Sequence, residues 1–220
     1  MRCFHCNRSC EQAPTGASMT VAQVRAFVDD SLARGKRWER IRVLGGEPTL
    51  HPQLHAILAE LLRYRAAVPE VVVEIATHGA TERARAVLQT LPPGVAVDDS
   101  HKVGPEQGAF DAFNRAPADD PRHRRSDFRS GCGVTEHCGI GLGPRGYYPC
   151  AVAGGIDRVV GLDRARAALP DDDDDLHDQL AAFCRRCGHF DPEPVAPGRR
   201  SRSATWVAAY ARWAAELRRR

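Results

Sequence analysis

The residues best suited to chemistry in this 220-residue sequence are its eight cysteines, which form two groups. The first group, Cys3, Cys6 and Cys10, lies at the start of the chain. Thiolates spaced this closely favour binding of a soft metal over simple packing, and either zinc or an iron–sulfur cluster would suit them. The second group begins more than a hundred residues later and comprises Cys132, Cys138, Cys150, Cys184 and Cys187.

The second group ends in a C-x2-C pair, Cys184 and Cys187, whose spacing lets one tight turn present two sulfur atoms to one metal. Two further thiolates would complete a tetrahedral zinc site or hold a cubane cluster. Cys132, Cys138 and Cys150 compete for these two places. The spacing alone leaves zinc and iron–sulfur ligation open.

A Gly-Gly-Glu turn in the segment LGGEPTL follows a short apolar strand, roughly forty residues after the first cysteines. Gly45 and Gly46 would let the backbone approach a ligand closely, and Glu47 would supply a carboxylate for an ammonium group. An ordinary strand-to-helix connection is the alternative interpretation. The segment ATHG places Thr77 at the end of the next apolar strand, where polar groups of parallel sheets meet their ligands.

Taken together, the N-terminal cysteine loop and the Gly-Gly-Glu turn resemble those of the radical S-adenosylmethionine (radical SAM) superfamily. In that family three cysteines spaced C-x3-C-x2-C hold a [4Fe–4S] cluster, and the Gly-Gly-Glu turn binds the amino group of SAM. The resemblance implies SAM binding by Gly45, Gly46 and Glu47, with Thr77 near the ribose. It also implies a reductant such as flavodoxin or ferredoxin, and cleavage of SAM to a 5′-deoxyadenosyl radical that acts on a peptide, protein or small-molecule substrate.

Cys3 and Cys6 match the second and third cysteines of the family pattern, which puts the first cysteine two residues upstream of Met1. We therefore expect the sequence to begin inside its own motif. Two alternatives stay open. Either Cys10 is the third ligand in a C-x2-C-x3-C arrangement, or the chain is a catalytically degenerate relative that binds an iron–sulfur cluster or zinc without cleaving SAM.

The segment CGIGLGPRGYYPC, which ends at Cys150, resembles the opening of the SPASM or twitch extension of radical SAM enzymes. In these extensions a glycine-containing hairpin ends in a ligand cysteine, and later cysteines close an auxiliary [4Fe–4S] cluster. The resemblance implies such a cluster held by Cys150, Cys184 and Cys187, with either Cys132 or Cys138 as the fourth ligand, unless both contribute to a site that the protein does not fully close. Structural zinc is the competing prediction. Because the cysteines are too few for two clusters, the extension is described better as twitch-like.

The candidate ligands must be positioned by helices and strands, whose hydrophobic patterns alternate along the sequence. Helices that alternate with short apolar strands predict an α/β fold with parallel strands. With the resemblance, this pattern implies a partial (β/α) barrel with a small Cys-rich C-terminal extension. The predicted helices cover residues 20–35, 52–64 and 81–91, and the predicted strands are Ile41–Leu44, the segment EVVVEIATHGA and Val95–Val97.

The sequence divides into four regions at changes of pattern. Residues 101–130 lack hydrophobic periodicity, which is typical of a linker or a functional loop. Beyond them we expect a helix near residues 176–184 and an amphipathic helix from Thr205. The predicted regions are a radical SAM-like partial (β/α) barrel at 1–100, the linker or loop at 101–130, a twitch-like auxiliary cluster region at 131–190, and an Arg-rich tail with an amphipathic helix at 191–220.

Composition and charge exclude several classes of protein. No apolar stretch reaches the roughly 18–20 residues that span a bilayer, so we expect no membrane association. Because the sequence shows no secretory leader, we expect a cytoplasmic location, where the eight cysteines stay reduced and available to a metal. The net charge of +3 comes from the tail, because residues 198–220 carry seven arginines and one glutamate, which leaves 3 − 6 = −3 for residues 1–197. A nucleic-acid-binding protein would spread its basic charge over the whole domain, so we do not expect nucleic acid as a partner.

Overall fold

The computed structural model describes residues 6–100, 112–192 and 202–219. The contacts divide the chain into two compact units, Ala17–Gly104 and the combination of Met1–Gly16 with Pro105–Arg220. We call them the sheet unit and the cysteine unit. The predicted boundaries joined residues 1–16 to the sheet, whereas the contacts group this segment with the cysteine unit. The reason is visible in its hydrogen bonds, since Arg158 Nη2 donates to the carbonyl oxygen of Arg8 at 2.6 Å.

The sheet unit is built from parallel strands and their crossover helices. Strands β1 (Arg40–Val43), β2 (Val72–Thr77) and β3 (Val95–Asp99) lie side by side in chain order. Both strand pairs are parallel, with Val43 opposite Ile75 and Thr77 opposite Asp99. This confirms the predicted α/β fold with parallel strands, and the partial barrel stays a prediction. The helices are α1 (Val21–Ala33), α2 (Leu54–Ala67) and α3 (Glu82–Leu88).

Local sequence explains the ends of these helices. Thr20 caps α1 through a capping box with Gln23, as the sequence predicts. The helix expected from Pro52 begins at Leu54, after a separate short 3-10 turn at Pro48–Leu50. Tyr64 fixes α2 in the core, because its buried hydroxyl donates to the carbonyl oxygen of Lys36 at 2.6 Å.

The cysteine unit combines short helices with one hairpin. Strands β4 (Gly141–Gly143) and β5 (Gly146–Tyr148) pair antiparallel, which confirms the hairpin expected before Cys150. Residues 112–130 form three single 3-10 turns in the segment interpreted as a linker or loop. The helices are α4 (Gly133–Cys138), α5 (Ala153–Val160), α6 (His177–Cys184) and α7 (Ala204–Arg219).

The sequence did not predict α5, because its glycines have low helix propensity. The structure explains Gly155, since a Cβ atom there would lie 2.8 Å from the carbonyl oxygen of Asn7. Close packing of residues 6–16 on α5 therefore requires a glycine. Helix α7 docks on the unit as predicted through fully buried Trp206, while Leu217 of the predicted apolar face stays exposed.

Among the described helices, none has both the length and the apolar character that crossing a membrane requires.

Candidate ligand-binding edge and metal centre

The carboxyl ends of the three parallel strands gather the polar groups of the sheet unit. The turn at residues 45–47 follows β1, Thr77 ends β2, and Ser100 follows β3. The N–H and the hydroxyl of Ser100 both donate to the carbonyl oxygen of Thr77, each at 2.9 Å. Ligands of open parallel sheets bind outside this edge, so the structure places the predicted SAM-binding residues where a ligand site is expected.

The carboxylate of Glu47 holds the ends of β1 and β2 together. Its Oε1 atom accepts hydrogen bonds from the Thr49 N–H at 3.2 Å, the Thr49 hydroxyl at 2.7 Å and the Thr77 hydroxyl at 2.8 Å. Its Oε2 atom accepts the His78 N–H at 3.0 Å and lies 3.1 Å from His78 Nε2. The side chain is only 5% exposed. The carboxylate expected to meet an ammonium group is thus already engaged by the chain itself.

The surroundings of Glu47 keep it ionised. Burial alone would raise its pKa, but hydrogen bonds from the His78 N–H and from both threonines outweigh burial and lower the pKa below the ordinary glutamate value. The turn is therefore ordered by a charged and fully hydrogen-bonded carboxylate. The exposed part of the turn is the backbone of Gly45 and Gly46.

Gly45 differs from other glycines of this edge because the protein itself does not need a glycine there. A Cβ atom added at Gly45 would meet no atom within 4 Å, and its φ angle is not in the left-handed region. Gly79 has φ +57°, and a Cβ atom there would collide with the carboxylate of Asp99. Open space beside Gly45 is what a ligand that approaches the backbone would require.

Four cysteines of the second group line one small cavity in the cysteine unit. Apolar side chains, among them those of Ile156 and Phe183, form much of the remaining wall. Cys138 is exposed and does not line this cavity, which makes Cys132 the better candidate of the two. The cavity-lining cysteines, which we call the four-cysteine site, are Cys132, Cys150, Cys184 and Cys187.

Three helices and a turn bring these cysteines together. Cys132 directly precedes α4, Cys150 lies shortly before α5, and Cys184 is the last residue of α6. The turn after α6 brings back Cys187, whose N–H donates to the carbonyl oxygen of Cys184 at 3.1 Å. The C-x2-C spacing therefore forms the tight turn that the sequence predicts.

The thiols of this site are held in a poorly solvated environment. Burial raises the pKa of Cys150 and Cys187, and it raises that of Cys184 to about 12. Backbone N–H groups act in the opposite direction, since those of Ala153 and Val152 donate to the sulfur of Cys150. Such N–H···S hydrogen bonds favour the thiolate, but burial outweighs them at Cys150, whose pKa stays above the ordinary thiol value. As arranged, no group of three or more His, Cys, Asp and Glu side chains among the described residues could hold a single metal ion.

The first cysteine group is only partly described. Cys3 lies outside the described residues, while Cys6 and Cys10 are half-buried in the cysteine unit. A hydrogen bond from the Cys10 thiol lowers the pKa of Cys6 to about 5, and the same bond raises the pKa of Cys10. The two sulfur groups are therefore neighbours, as ligands of one centre must be.

Asp157 and Tyr148 support the four-cysteine site from both sides of Cys150. The Asp157 carboxylate has no solvent exposure and accepts the Tyr148 hydroxyl at 2.9 Å and the Arg164 N–H at 3.3 Å. Burial first, and the Asp157 charge second, raise the pKa of Tyr148. The bond ties β5 to α5 and so fixes the connection that carries Cys150. The sequence contains no pattern that identifies this pair.

Arg8 is the other functional candidate that sequence reasoning missed. Its only signal was its position between two cysteines in the segment CNRSC. Within the described part of the chain, its Nη1 atom is buried without a hydrogen-bond partner. Burial lowers the pKa of Arg8 below the ordinary arginine value, and the charges of nearby cysteines, among them Cys150 and Cys6, oppose this lowering.

Neither protein-family models nor curated proteins match this chain.

Proposed function

We propose that this chain is a radical SAM enzyme with an auxiliary [4Fe–4S] cluster at the four-cysteine site. The observation that carries this proposal is the convergence of cysteines from three separate segments on one largely apolar cavity. When bound, the SAM-binding cluster would supply the electron that cleaves SAM to methionine and a 5′-deoxyadenosyl radical. Cys3, Cys6 and Cys10 are the candidates within this chain to hold it.

The metal part of the proposal rests on the thiols and their hydrogen bonds. Buried thiols with raised pKa values are poor nucleophiles and poor acids, which argues against a thiol-based catalytic role for Cys184 and Cys187. The N–H groups directed at the sulfur of Cys150 are of the kind that surrounds metal-bound thiolates. Ligation of one cluster would explain why these cysteines line the same cavity.

The SAM part of the proposal rests on the edge of the sheet. Glu47 keeps the turn after β1 in one conformation through its bonds to Thr49, Thr77 and His78. The exposed backbone groups of Gly45 and Gly46 are then available to orient the zwitterionic methionine moiety of SAM. In this role Glu47 orders the turn, and the glycines make the contact.

A metal-binding protein that no longer cleaves SAM is the second candidate. The observation that favours it is the contrast between the two cysteine groups. The second group lines a defined cavity, whereas the described part of the first group consists of the hydrogen-bonded pair Cys6 and Cys10. This candidate predicts a cluster or zinc at the four-cysteine site and no product from SAM.

Anaerobic reconstitution with iron and sulfide tests both candidates. Iron, sulfide and zinc are quantified, the reduced protein is studied by electron paramagnetic resonance (EPR) with and without SAM, and 5′-deoxyadenosine is measured by mass spectrometry. The enzyme proposal expects an EPR signal that SAM changes, together with 5′-deoxyadenosine. Iron without SAM cleavage would favour the second candidate, and zinc without iron would refute the iron–sulfur proposal.

Two cysteine variants make this experiment specific. Cys187→Ala removes a ligand from the four-cysteine site, whereas Cys138→Ala removes an exposed cysteine that does not line the cavity. We expect the first variant to lose one EPR signal and about half of the iron, and the second to keep both. Equal losses in both variants would contradict the assignment of Cys132 as the fourth ligand.

A further inference from the structure

Three polar side chains of the cysteine unit, those of His123, Ser126 and Asp191, form a hydrogen-bonded chain. The Nε2 atom of His123 lies 3.0 Å from Asp191 Oδ2, and its Nδ1 atom lies 3.0 Å from the Ser126 hydroxyl oxygen. Asp191 is 68 residues away from His123 in sequence, so the fold brings the carboxylate to the imidazole. A hydroxyl, an imidazole and a carboxylate joined in this order are the parts of a nucleophilic serine site.

The Asp191 carboxylate decides which nitrogen of the His123 ring carries the proton. An ionised carboxylate only accepts hydrogen bonds, so the neutral ring donates its Nε2–H to Asp191. The lone pair of Nδ1 then accepts the hydrogen bond of the Ser126 hydroxyl. His123 is therefore placed as a general base, because it can take the Ser126 proton when the hydroxyl oxygen forms a new bond.

Ser126 differs in its bonding from Ser130, another serine of the same segment. The Ser130 hydroxyl donates to the carbonyl oxygen of Asp127 at 2.8 Å, which is a common local bond of a serine in a turn. The Ser126 hydroxyl instead bonds to the imidazole. In the described part of the chain, the N–H of Asp127, the residue after Ser126, has no backbone acceptor. This N–H is available to the oxyanion that forms when a serine attacks a carbonyl group.

The surroundings order the imidazole and leave the serine accessible. The His123 side chain is only 14% exposed, and its ring packs edge-on against Phe190 with the ring centroids 5.8 Å apart. Phe190 packs in turn against Phe128, with centroids 4.8 Å apart. Ser126 is half-buried, so a reagent in solution can reach it while the base stays in place.

The charge next to Ser126 favours anionic substrates. Arg124 and Arg125 directly precede Ser126, and both are exposed. None of the described carboxylates pairs with either guanidinium group, whereas Arg122 pairs with Asp120 at 2.7 Å. Two uncompensated positive charges beside the hydroxyl attract a substrate that carries a carboxylate or another anion.

We propose that Ser126 is the nucleophile of a second active site that hydrolyses anionic esters, with His123 as general base and Asp191 as a positioning residue. The Ser126 oxygen bonds to the ester carbonyl carbon, its proton moves to His123 Nδ1, and the alcohol of the ester leaves with that proton. Water then cleaves the acyl-serine by the same route and restores the hydroxyl. The reaction transfers no electron, so it goes beyond the proposed function and does not depend on it.

Covalent labelling of the full chain with a fluorophosphonate tests the nucleophile directly. The serine oxygen bonds to phosphorus and displaces fluoride, and peptide mass spectrometry locates the adduct. We expect the adduct on Ser126 in the wild type and in the matched control Ser130→Ala, and its complete loss in Ser126→Ala. A wild-type protein that is not labelled at Ser126 would overturn the proposal, whether or not the variants fold.

Hydrolysis of nitrophenyl esters measures the base and the charge. The rate above that of Ser126→Ala is compared among the variants, which removes the contribution of the cysteines. His123→Asn should lower this rate by about a hundredfold, a typical general-base contribution. The preference for 5-acetoxy-2-nitrobenzoate over the uncharged 4-nitrophenyl acetate should fall in the double variant Arg124→Gln, Arg125→Gln. Equal rates in Ser126→Ala and the wild type would refute hydrolysis at Ser126.

A spectroscopic measurement separates positioning by Asp191 from a merely structural role. In protein with 15N-labelled histidine, the nitrogen chemical shifts of His123 report which ring nitrogen carries the proton, and His123→Asn identifies its signals. We expect the Nε2–H form in the wild type and a mixture of both forms in Asp191→Asn, with labelling of Ser126 slowed by roughly tenfold or more. A wild-type ring that carries its proton on Nδ1 would overturn the assignment of His123 as the base.

Discussion

Replacement of Gly45 by alanine tests whether this glycine is required for ligand binding or for the stability of the fold. Because an added Cβ would meet no atom within 4 Å and φ is not left-handed, the chain tolerates the methyl group. A glycine-to-alanine change at a compatible position stabilises a protein by about 0.4–1 kcal/mol, through the entropy of the unfolded chain. We therefore expect Gly45→Ala to be as stable as the wild type or slightly more stable in urea unfolding.

Ligand binding should respond in the opposite direction. If the backbone at Gly45 contacts the methionine moiety of SAM, a methyl group there displaces a charged group from its hydrogen bond. Such a loss amounts to about 1.5–3 kcal/mol, or roughly a ten- to hundredfold weaker Kd. Anaerobic isothermal titration of reconstituted protein with SAM measures this change directly.

Gly79→Ala is the matched control for the stability half of this prediction. With φ +57° and the Asp99 carboxylate against the Cβ position, alanine at 79 should destabilise the fold. The left-handed conformation alone costs roughly 1–2 kcal/mol. Wild-type affinity for SAM in a stable Gly45→Ala protein would refute the role of Gly45. A loss of stability as large as that of Gly79→Ala would refute the open space on which the reasoning depends.

Three further predictions test the supports of the two sites. In the metal-loaded protein, Cys187→Ala should lower the thermal midpoint through loss of the bound metal, while Cys138→Ala leaves it unchanged in differential scanning fluorimetry. Asp157→Ala should destabilise the cysteine unit by about 1–3 kcal/mol in urea unfolding, because it leaves the buried Tyr148 hydroxyl without its acceptor. Tyr148→Phe should cost less, because the Asp157 carboxylate keeps the Arg164 N–H at 3.3 Å and Arg145 at 3.7 Å. Glu47 has a folded-state pKa below its unfolded value, so its contribution to stability is present above the unfolded pKa and is lost as the pH falls through the folded pKa. Glu47→Gln should therefore be less stable than the wild type at pH 7, and the difference should shrink in acid unfolding curves below the ordinary glutamate pKa; a pH-independent difference would contradict this account.

The elements of the sheet unit could be predicted from the sequence because each has a strong local signal. The β-branched run before Thr77 and the capping box at Thr20 depend on near neighbours in the chain. Helix α5 could not be predicted in this way. Its Gly155 is explained by the backbone of Asn7, almost 150 residues away in sequence, and no local propensity encodes such a contact.

In the candidate sites, too, the features that depend on neighbouring residues could be predicted, and those that depend on distant segments could not. The spacing of Cys184 and Cys187 predicted one turn that presents two sulfur atoms, and the structure contains it. The choice between Cys132 and Cys138 depended on which of them reaches a cavity formed by distant segments. The hydrogen bonds that occupy the Glu47 carboxylate could not be predicted from the sequence either, because its partners Thr77 and His78 lie at the end of a different strand.

Helix α5 contacts both the segment that carries Cys150 and the loop that carries Cys6 and Cys10. Its first turn directs N–H groups at the sulfur of Cys150, and Arg158 near its other end donates to the backbone of Arg8 and Ala13. A displacement of α5 would therefore move Cys150 and the loop that carries Arg8 together. A metal held by Cys150 would restrain the start of α5, and the Arg158 hydrogen bonds connect this helix to the loop of Cys6 and Cys10. A methyl group added at Gly155 would lie 2.8 Å from the carbonyl oxygen of Asn7, so we expect Gly155→Ala to disturb the packing of this loop on α5.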